Sequence, residues 1–232
     1  MEDKRQIQAL IISNAMIGSA QSKSAELLAY LKSVSCSTVI FTGKTFADDT
    51  MYDNYWKVED YKIMQRLFKM MAKNSSVYMM TSSVSYQQLF KMMGATRLRL
   101  DATFDVVLDG KQYHFIHPQS TTANFIQNKT DGFAWLKSAK KNLVNKVVVS
   151  SNEEASVETQ TVNDVTYTKI NAGDFTTQLN VIEYNYGNWS VVKVADIITE
   201  TEQHTSDAVI GSITSTLKKL NPFQAETNLS FS

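Results

Sequence analysis

The stretch Ile11-Ile12-Ser13-Asn14-Ala15-Met16-Ile17-Gly18-Ser19 decides the fold class of this chain. Apolar residues from Ile7 lead into it, and small and polar residues end it, as is typical of a buried strand that closes in a tight turn. A helical pattern follows, with Leu27, Leu28 and Leu31 on one face. A buried strand that turns directly into an amphipathic helix predicts an α/β domain.

Strands and helices alternate along the first half of the chain, and strands dominate the second half. Apolar periodicity predicts strands over 7–13, 39–42 and 77–80. One amphipathic helix is predicted to begin at Ser22, between the first two strands, and another to span 58–73, between the second and the third. Asp109-Gly110 predicts a hairpin turn. The remaining predicted elements are strands over 103–108, 112–116, 146–149, 165–170, 178–184 and 189–194, a turn at 187–188, and helices over 87–93 and 207–220.

Polar residues follow four later strands at positions that correspond to Asn14 and Met16 after the first strand. Lys44 follows Val39-Ile40-Phe41-Thr42-Gly43, Ser82 and Ser83 follow Val77-Tyr78-Met79-Met80, His117 follows His114-Phe115-Ile116, and Ser151 and Glu153 follow Val147-Val148-Val149. The order of these landmarks resembles the calcineurin-like metallophosphoesterases, above all the bacterial UDP-2,3-diacylglucosamine diphosphatase-like branch. The resemblance implies an α/β (α+β) four-layer sandwich of two mixed β-sheets flanked by helices, with these positions together at one end.

The resemblance also bears on chemistry. Such enzymes hold two divalent metals that clamp a phosphoryl group and activate a water, with carboxylate, imidazole and amide ligands. Here Asn14, Met16 and Lys44 stand at the first ligand positions. A thioether is a soft ligand, and an ammonium repels metal cations. These changes predict a chain without catalytic residues, bound metal or cofactor, which is not an enzyme.

The eight positions, from Asn14 to Glu153, would together line a vestigial cleft, and two interpretations of that cleft are open. Lys44, Asn14 and the hydroxyls of Ser82 and Ser83, with His117, are suited to hold a phosphate or nucleotide without a metal. The alternative, which we favour from sequence alone, is a decayed cleft filled by side chains and water.

Length and composition agree with one domain of ordinary globular character. The chain has 232 residues, a formal net charge of zero and a single cysteine, Cys36. We expect a domain over 1–220 with a helical lid shortened to about 119–145, followed by a polar tail over 221–232. Zero net charge argues against binding to nucleic acid, and an unpaired cysteine fits the cytoplasm.

No segment of the sequence resembles a membrane span, which needs about 18 consecutive apolar residues. We therefore expect no direct membrane insertion and a cytoplasmic protein, any contact with the inner membrane being made through a partner. The sequence does not indicate the oligomeric state.

Three functions follow from these observations. The first is a non-catalytic scaffold or adaptor subunit of a larger bacterial complex, secretion- or envelope-associated, with other proteins as partners. The second is a metal-free phosphate- or nucleotide-sensing module. The third is a residual metal-dependent phosphoesterase that uses other ligands, such as Asp48, Asp49, Asp53 and Glu153.

The first function needs an exposed surface with aromatic anchors. The sequence offers two candidate segments, one with Tyr52, Tyr55 and Trp56 and one with Phe133 and Trp135. The rings of the first segment are interleaved with polar residues, which favours a binding loop. The alternative is a loop that folds back and buries its rings against the 58–73 helix.

Overall fold

The computed structural model describes residues 4–46, 56–80, 98–100, 103–116, 145–151, 154–162 and 165–199. Their helices are α1 (Ser24–Ser33), α2 (Val58–Ala72) and α3 (Phe175–Gln178), and residues 194–199 are also helical. Their strands are β1 (Arg5–Ser13), β2 (Val34–Thr42), β3 (Ser76–Met79), β4 (Leu98–Leu100), β5 (Thr103–Leu108), β6 (Lys111–Ile116), β7 (Asn145–Ser150), β8 (Ser156–Val162), β9 (Val165–Asn171), β10 (Asn180–Asn185) and β11 (Asn188–Lys193).

The first sheet has the strand order β11-β10-β1-β2-β3-β4. Strands β1 to β4 run parallel, and β10 and β11 are antiparallel to their neighbours. Helix α1 connects β1 to β2, and α2 lies between β2 and β3 in the chain. Because parallel strands point the same way, the carboxyl ends of β1, β2 and β3 meet at one edge, as in other open α/β sheets.

The second sheet has the strand order β5-β6-β7-β9-β8. Its outer pairs, β5 with β6 and β8 with β9, are antiparallel hairpins, and its inner pairs are parallel. Both sheets are therefore mixed.

Two apolar clusters hold the layers together. One lies between the first sheet and the two long helices, where Leu27 and Leu31 of α1 and Ile63 and Leu67 of α2 are buried. The other fills the space between the sheets. There an aromatic stack joins the two sheets, its ring centroids 4.1 Å apart for Tyr78 and Phe104 and 5.1 Å for Phe104 and Phe115.

A buried carboxylate lies on the helix side of the first sheet. Glu183 of β10 is 3% exposed. Its oxygens accept hydrogen bonds from both Arg5 Nη atoms and from the Tyr30 hydroxyl of α1. The carboxylate raises the pKa of Arg5. The pKa of Tyr30 is raised mainly by burial and, to a smaller extent, by the negative charge of Glu183. We call Arg5, Tyr30 and Glu183 the Glu183 cluster; it joins β1, β10 and α1.

The predicted fold class, two mixed sheets flanked by helices, is confirmed. The hairpin at Asp109-Gly110 is confirmed as well, and β1, α2 and β3 match their predicted ranges to within two residues. The predicted helices over 87–93 and 207–220, the lid and the tail lie outside the described residues.

Several details of the predicted elements were wrong. Strand β2 begins at Val34 rather than at residue 39, and α1 begins at Ser24 rather than Ser22. Residue Gln178 belongs to α3, not to a strand, because Asp174 caps that helix by accepting a hydrogen bond from the Thr176 N–H. Strand β8 was not predicted, because its polar sequence lacks an apolar face. The turn lies at residues 186–187, one position earlier than predicted.

Candidate functional site

The candidate site lies where β1, β2 and β7 end. Beyond the strands, the two loops of the first sheet continue to pair through their backbones: Asn14 N donates to Thr42 O at 3.1 Å and Met16 N to Lys44 O at 3.0 Å. An isolated parallel bridge then joins Ile17 to Phe46. We call this region, from Ser13 to Gly18 and from Thr42 to Phe46 together with Ser151, the cleft edge. Its backbone is fixed by hydrogen bonds.

The Asn14 side chain connects the two sheets at the cleft edge. Its Oδ1 accepts a hydrogen bond from Lys44 N at 2.9 Å, and its Nδ2 donates to Ser151 O at 3.2 Å. Asn14 has a φ of 50°, a left-handed conformation that asparagine adopts more readily than most residues. The amide therefore acts as a brace between the ends of β1, β2 and β7.

Two loop positions require glycine, because neighbouring side chains lie where a Cβ atom would be. A Cβ on Gly43, whose φ is 64°, would collide with Asn14 Oδ1. A Cβ on Gly18, whose φ is 84°, would lie 2.7 Å from Trp56 Nε1. Met16 has a φ of 49°, where a side chain with a Cβ costs about 1–2 kcal/mol. The cleft edge thus keeps an unfavourable backbone conformation, which is common at functional sites.

Two buried hydroxyls at the cleft edge have no hydrogen-bond partner among the described residues. They are Ser13 Oγ, in a residue that is 0% exposed, and Thr42 Oγ1, in a residue that is 1% exposed. The two residues are opposite one another on β1 and β2. Because alternate residues of a strand face the same side, both lie on the side of Ile11 and Ile40, which is the space between the sheets.

Such hydroxyls are costly when unpaired, by about 1–3 kcal/mol each. Sequence analysis missed both. The signal was present: a serine and a threonine occupy the last position of two apolar strands, in phase with buried isoleucines.

The amino ends of α1 and α2 lie near the same edge, since each helix follows a strand that ends there. Ser24, the first residue of α1, donates a hydrogen bond to the buried carboxylate of Asp60 in the first turn of α2. Asp60 Oδ2 also accepts from Lys57 N at 2.7 Å. The amino end of a helix carries partial positive charge that favours anions, which helps to stabilise Asp60.

Trp56 lies against the cleft edge rather than apart from it. Its indole packs on Gly18, stacks on Phe46 at a centroid distance of 6.3 Å and contacts the Tyr61 ring at 5.1 Å. The side chain is half-buried. Of the predicted interface residues, Tyr52, Tyr55, Phe133 and Trp135 lie outside the described residues.

The structure thus brings Asn14, Met16, Lys44 and Ser151 together at one edge. Asn14 is half-buried and Lys44 exposed. The other predicted cleft residues, Ser82, Ser83, His117 and Glu153, lie outside the described residues, as do Asp48, Asp49 and Asp53.

The described residues alone do not fit a two-metal site. Nowhere in them do three His, Cys, Asp or Glu side chains group closely enough to bind a metal. The one amide at the cleft edge that matches a ligand position, Asn14, already bonds to two backbone groups. In the same part of the chain, the helices are too short or too polar to span a bilayer.

No protein-family model and no curated protein matches the sequence. Solved structures similar to the chain include a novel archaeal phosphodiesterase (12% identity, TM-score 0.49, 79% of this chain and 98% of that one). A Thermus thermophilus protein is similar at 8% identity and a TM-score of 0.43, over 81% of this chain and 99% of that one. Chaetomium thermophilum Vps29 is similar at 13% identity and a TM-score of 0.38, over 79% of this chain and 95% of that one. No substrate or partner follows from likenesses this distant.

One prediction needs correction at this point. The prediction that the chain is not an enzyme is wrong as stated, because no observation on the described residues shows a loss of catalysis. Substituted ligand positions alone were too narrow a basis for it.

Proposed function

We propose that this chain binds a phosphate-bearing small molecule at the cleft edge. The observation that carries the proposal is a pair of buried hydroxyls, Ser13 Oγ and Thr42 Oγ1, which face the space between the sheets and have no hydrogen-bond partner among the described residues. A ligand with several acceptor oxygens would satisfy both on displacing the side chains that cover these hydroxyls.

The charge of the cleft edge suits an anion. Its described side chains are neutral except for that of Lys44, which is exposed and positive. An ammonium with hydroxyl donors is a common arrangement for a phosphate group.

Calorimetric titration of the full chain with inorganic phosphate and with AMP, at constant ionic strength, tests this function. Lys44→Gln should weaken binding about tenfold or more, since a hydrogen bond to a charged group contributes about 1.5–3 kcal/mol. Lys62→Gln, which removes an exposed charge from α2, is the matched control and should not change the affinity. Equal affinity of the Lys44 and Lys62 variants, or no binding by the natural chain, would contradict the proposal.

The same preparation separates binding from turnover. Adding Mn²⁺ and a chromogenic phosphodiester measures hydrolysis directly. A metal-dependent rate that tracks the protein through purification would favour the phosphoesterase alternative over a sensing module.

A scaffold or adaptor subunit of a larger bacterial complex is the second candidate function. It is favoured by an apolar patch at the start of α2, where Val58 is 62% exposed and Tyr61 is 58% exposed next to the half-buried Trp56. Large exposed rings near one another are typical anchors of protein interfaces.

Replacing Tyr61 by Ala tests the patch and leaves every side chain of the cleft edge unsubstituted. The variant should lose a partner that copurifies with the natural chain at fixed stoichiometry. Tyr186→Ala, at a turn where the ring is 84% exposed, is the control and should retain it. Identical copurification of the partner with both variants would show that the patch around Tyr61 does not bind it.

A further inference from the structure

Strand β8 is an edge of the second sheet whose side chains are mostly exposed. It pairs with β9 and is the last strand in the sheet order. Ser156, Glu158, Thr159, Gln160 and Thr161 are all exposed, and Val157 is half-buried. Along its other edge, β8 therefore offers backbone donors and acceptors that no described strand satisfies.

This edge has few of the features that usually prevent strands from pairing between molecules. Such features are charged side chains, above all lysine, together with prolines, bulges and very short strands, and the only charged residue of β8 is Glu158. Strand β8 has seven residues, contains no lysine or proline, and keeps an unbroken register with β9 from Ser156 opposite Asn171 to Val162 opposite Val165. By contrast, β4 has three residues and β11 carries Lys193.

We propose that β8 pairs antiparallel with β8 of a second copy of this chain, which joins the two second sheets into one continuous sheet. The two-fold axis passes through Thr159, the middle residue of the strand. In that register all seven residues of each strand are paired.

The charge pattern supports this register. With the axis at Thr159, Glu158 lies opposite Gln160 of the other copy, and no two like charges are opposed. Moving the axis by one residue to Glu158 would place the two carboxylates directly opposite each other, which is unfavourable. The threonines and Val157 of the inner face would pair among themselves, a combination that suits β strands.

The size of the contact sets the expected strength. A pairing of one seven-residue strand with its copy buries less than the roughly 1,600 Å² of a standard stable interface. The dimer should therefore be weak and depend on protein concentration.

Cysteine cross-linking tests the register. The chain has one natural cysteine, Cys36, and it is buried. Thr159→Cys places two thiols opposite each other across the axis, and mild oxidation should convert most of the concentrated protein to a covalent dimer. Thr161→Cys is the matched control, because it is equally exposed, lies on the same face and would face Val157 of the other copy. It should cross-link several-fold less.

Sedimentation analysis tests the dimer without a thiol. The natural chain should shift with rising concentration from 26.1 kDa towards twice that mass. Thr159→Lys should abolish the shift by opposing two ammonium groups, whereas Thr103→Lys, on β5 at the opposite edge of the second sheet, should leave it intact. Thermal unfolding of both variants establishes that they are folded. A natural chain that stays monomeric, a Thr159→Lys variant that still dimerises, or equal cross-linking at positions 159 and 161 would each overturn the proposal.

Discussion

The Glu183 cluster and the cleft edge both contain buried polar groups of the first sheet, and these groups have opposite hydrogen-bonding states. In the Glu183 cluster both carboxylate oxygens accept hydrogen bonds, from Arg5 and Tyr30. At the cleft edge Ser13 Oγ and Thr42 Oγ1 have no partner in the described part of the chain. The hydrogen bonds of the first region are satisfied within the protein, whereas the two hydroxyls of the second are not satisfied by any described residue.

The difference separates polar residues that stabilise this fold from polar residues that cost it stability. Removing a partner from a satisfied buried group leaves an uncompensated charge, and stability falls. Removing a hydroxyl that has no partner also removes its desolvation cost, so stability is kept or increased. Substitutions in the two regions should therefore affect stability and binding in opposite ways.

The largest effect is expected in the Glu183 cluster. Glu183→Ala should lower the free energy of unfolding by about 3 kcal/mol, because it leaves the Arg5 guanidinium and the Tyr30 hydroxyl without their acceptor; the loss lies at the low end for a buried pair, since the Arg5 side chain is 38% exposed. Urea unfolding measures the change. Glu154→Ala, which removes an exposed carboxylate, is the control and should change stability by less than about 0.5 kcal/mol. A loss below about 1 kcal/mol would mean that the cluster is not a stabilising unit.

The brace at the cleft edge should show the next largest effect. Gly43→Ala imposes a left-handed conformation on a residue with a Cβ and displaces Asn14 Oδ1, so we expect a loss of about 2–3 kcal/mol. Gly110→Ala is a close control, since Gly110 has a φ of 71° with open space around a Cβ. It should lose only about 1 kcal/mol. Equal losses in the two variants would show that the Asn14 contacts contribute nothing.

A pH effect should arise near the Glu183 cluster, where Cys36 is buried. Burial raises the pKa of the Cys36 thiol to about 12 from an ordinary value near 9. Above pH 9 the unfolded chain loses this proton while the folded chain keeps it, so stability should fall with rising pH by roughly 1 kcal/mol per pH unit. Tyr30 and Tyr184, whose pKa values burial also raises, add to the fall. Cys36→Ala should reduce the slope but retain the tyrosine part; an unchanged slope would contradict this.

The sequence predicted the fold better than the site, for physical reasons. Apolar periodicity is strong in β1, β2 and α2, so their existence and order were predictable. Strand β8 has no such period, because most of its described side chains are exposed on both faces and only Val157 packs on the core. At the site, the landmark positions Asn14, Lys44 and Ser151 were correctly brought to one edge. The bonds that make Asn14 a brace depend on backbone groups of two other strands, which no local pattern encodes.

Thr42→Val distinguishes the two regions most directly, although its expected effect on the free energy of unfolding is the smallest. Thr42→Val replaces an unpartnered buried hydroxyl by a methyl group of nearly the same size, so the free energy of unfolding should stay the same or rise by up to about 1 kcal/mol. If Thr42 Oγ1 donates to the bound phosphate, affinity should fall about fivefold in the same variant, since a neutral hydrogen bond contributes about 1 kcal/mol. Thr38→Val, on the same face of β2 but four residues from the edge, is the control and should not alter phosphate affinity. Stability that rises while binding falls is a combination expected of a group kept for function. A clear loss of stability in Thr42→Val would show that the hydroxyl stabilises the fold. Unchanged phosphate affinity would show that the hydroxyl does not contact the ligand. Either result would contradict the contrast drawn between the two regions.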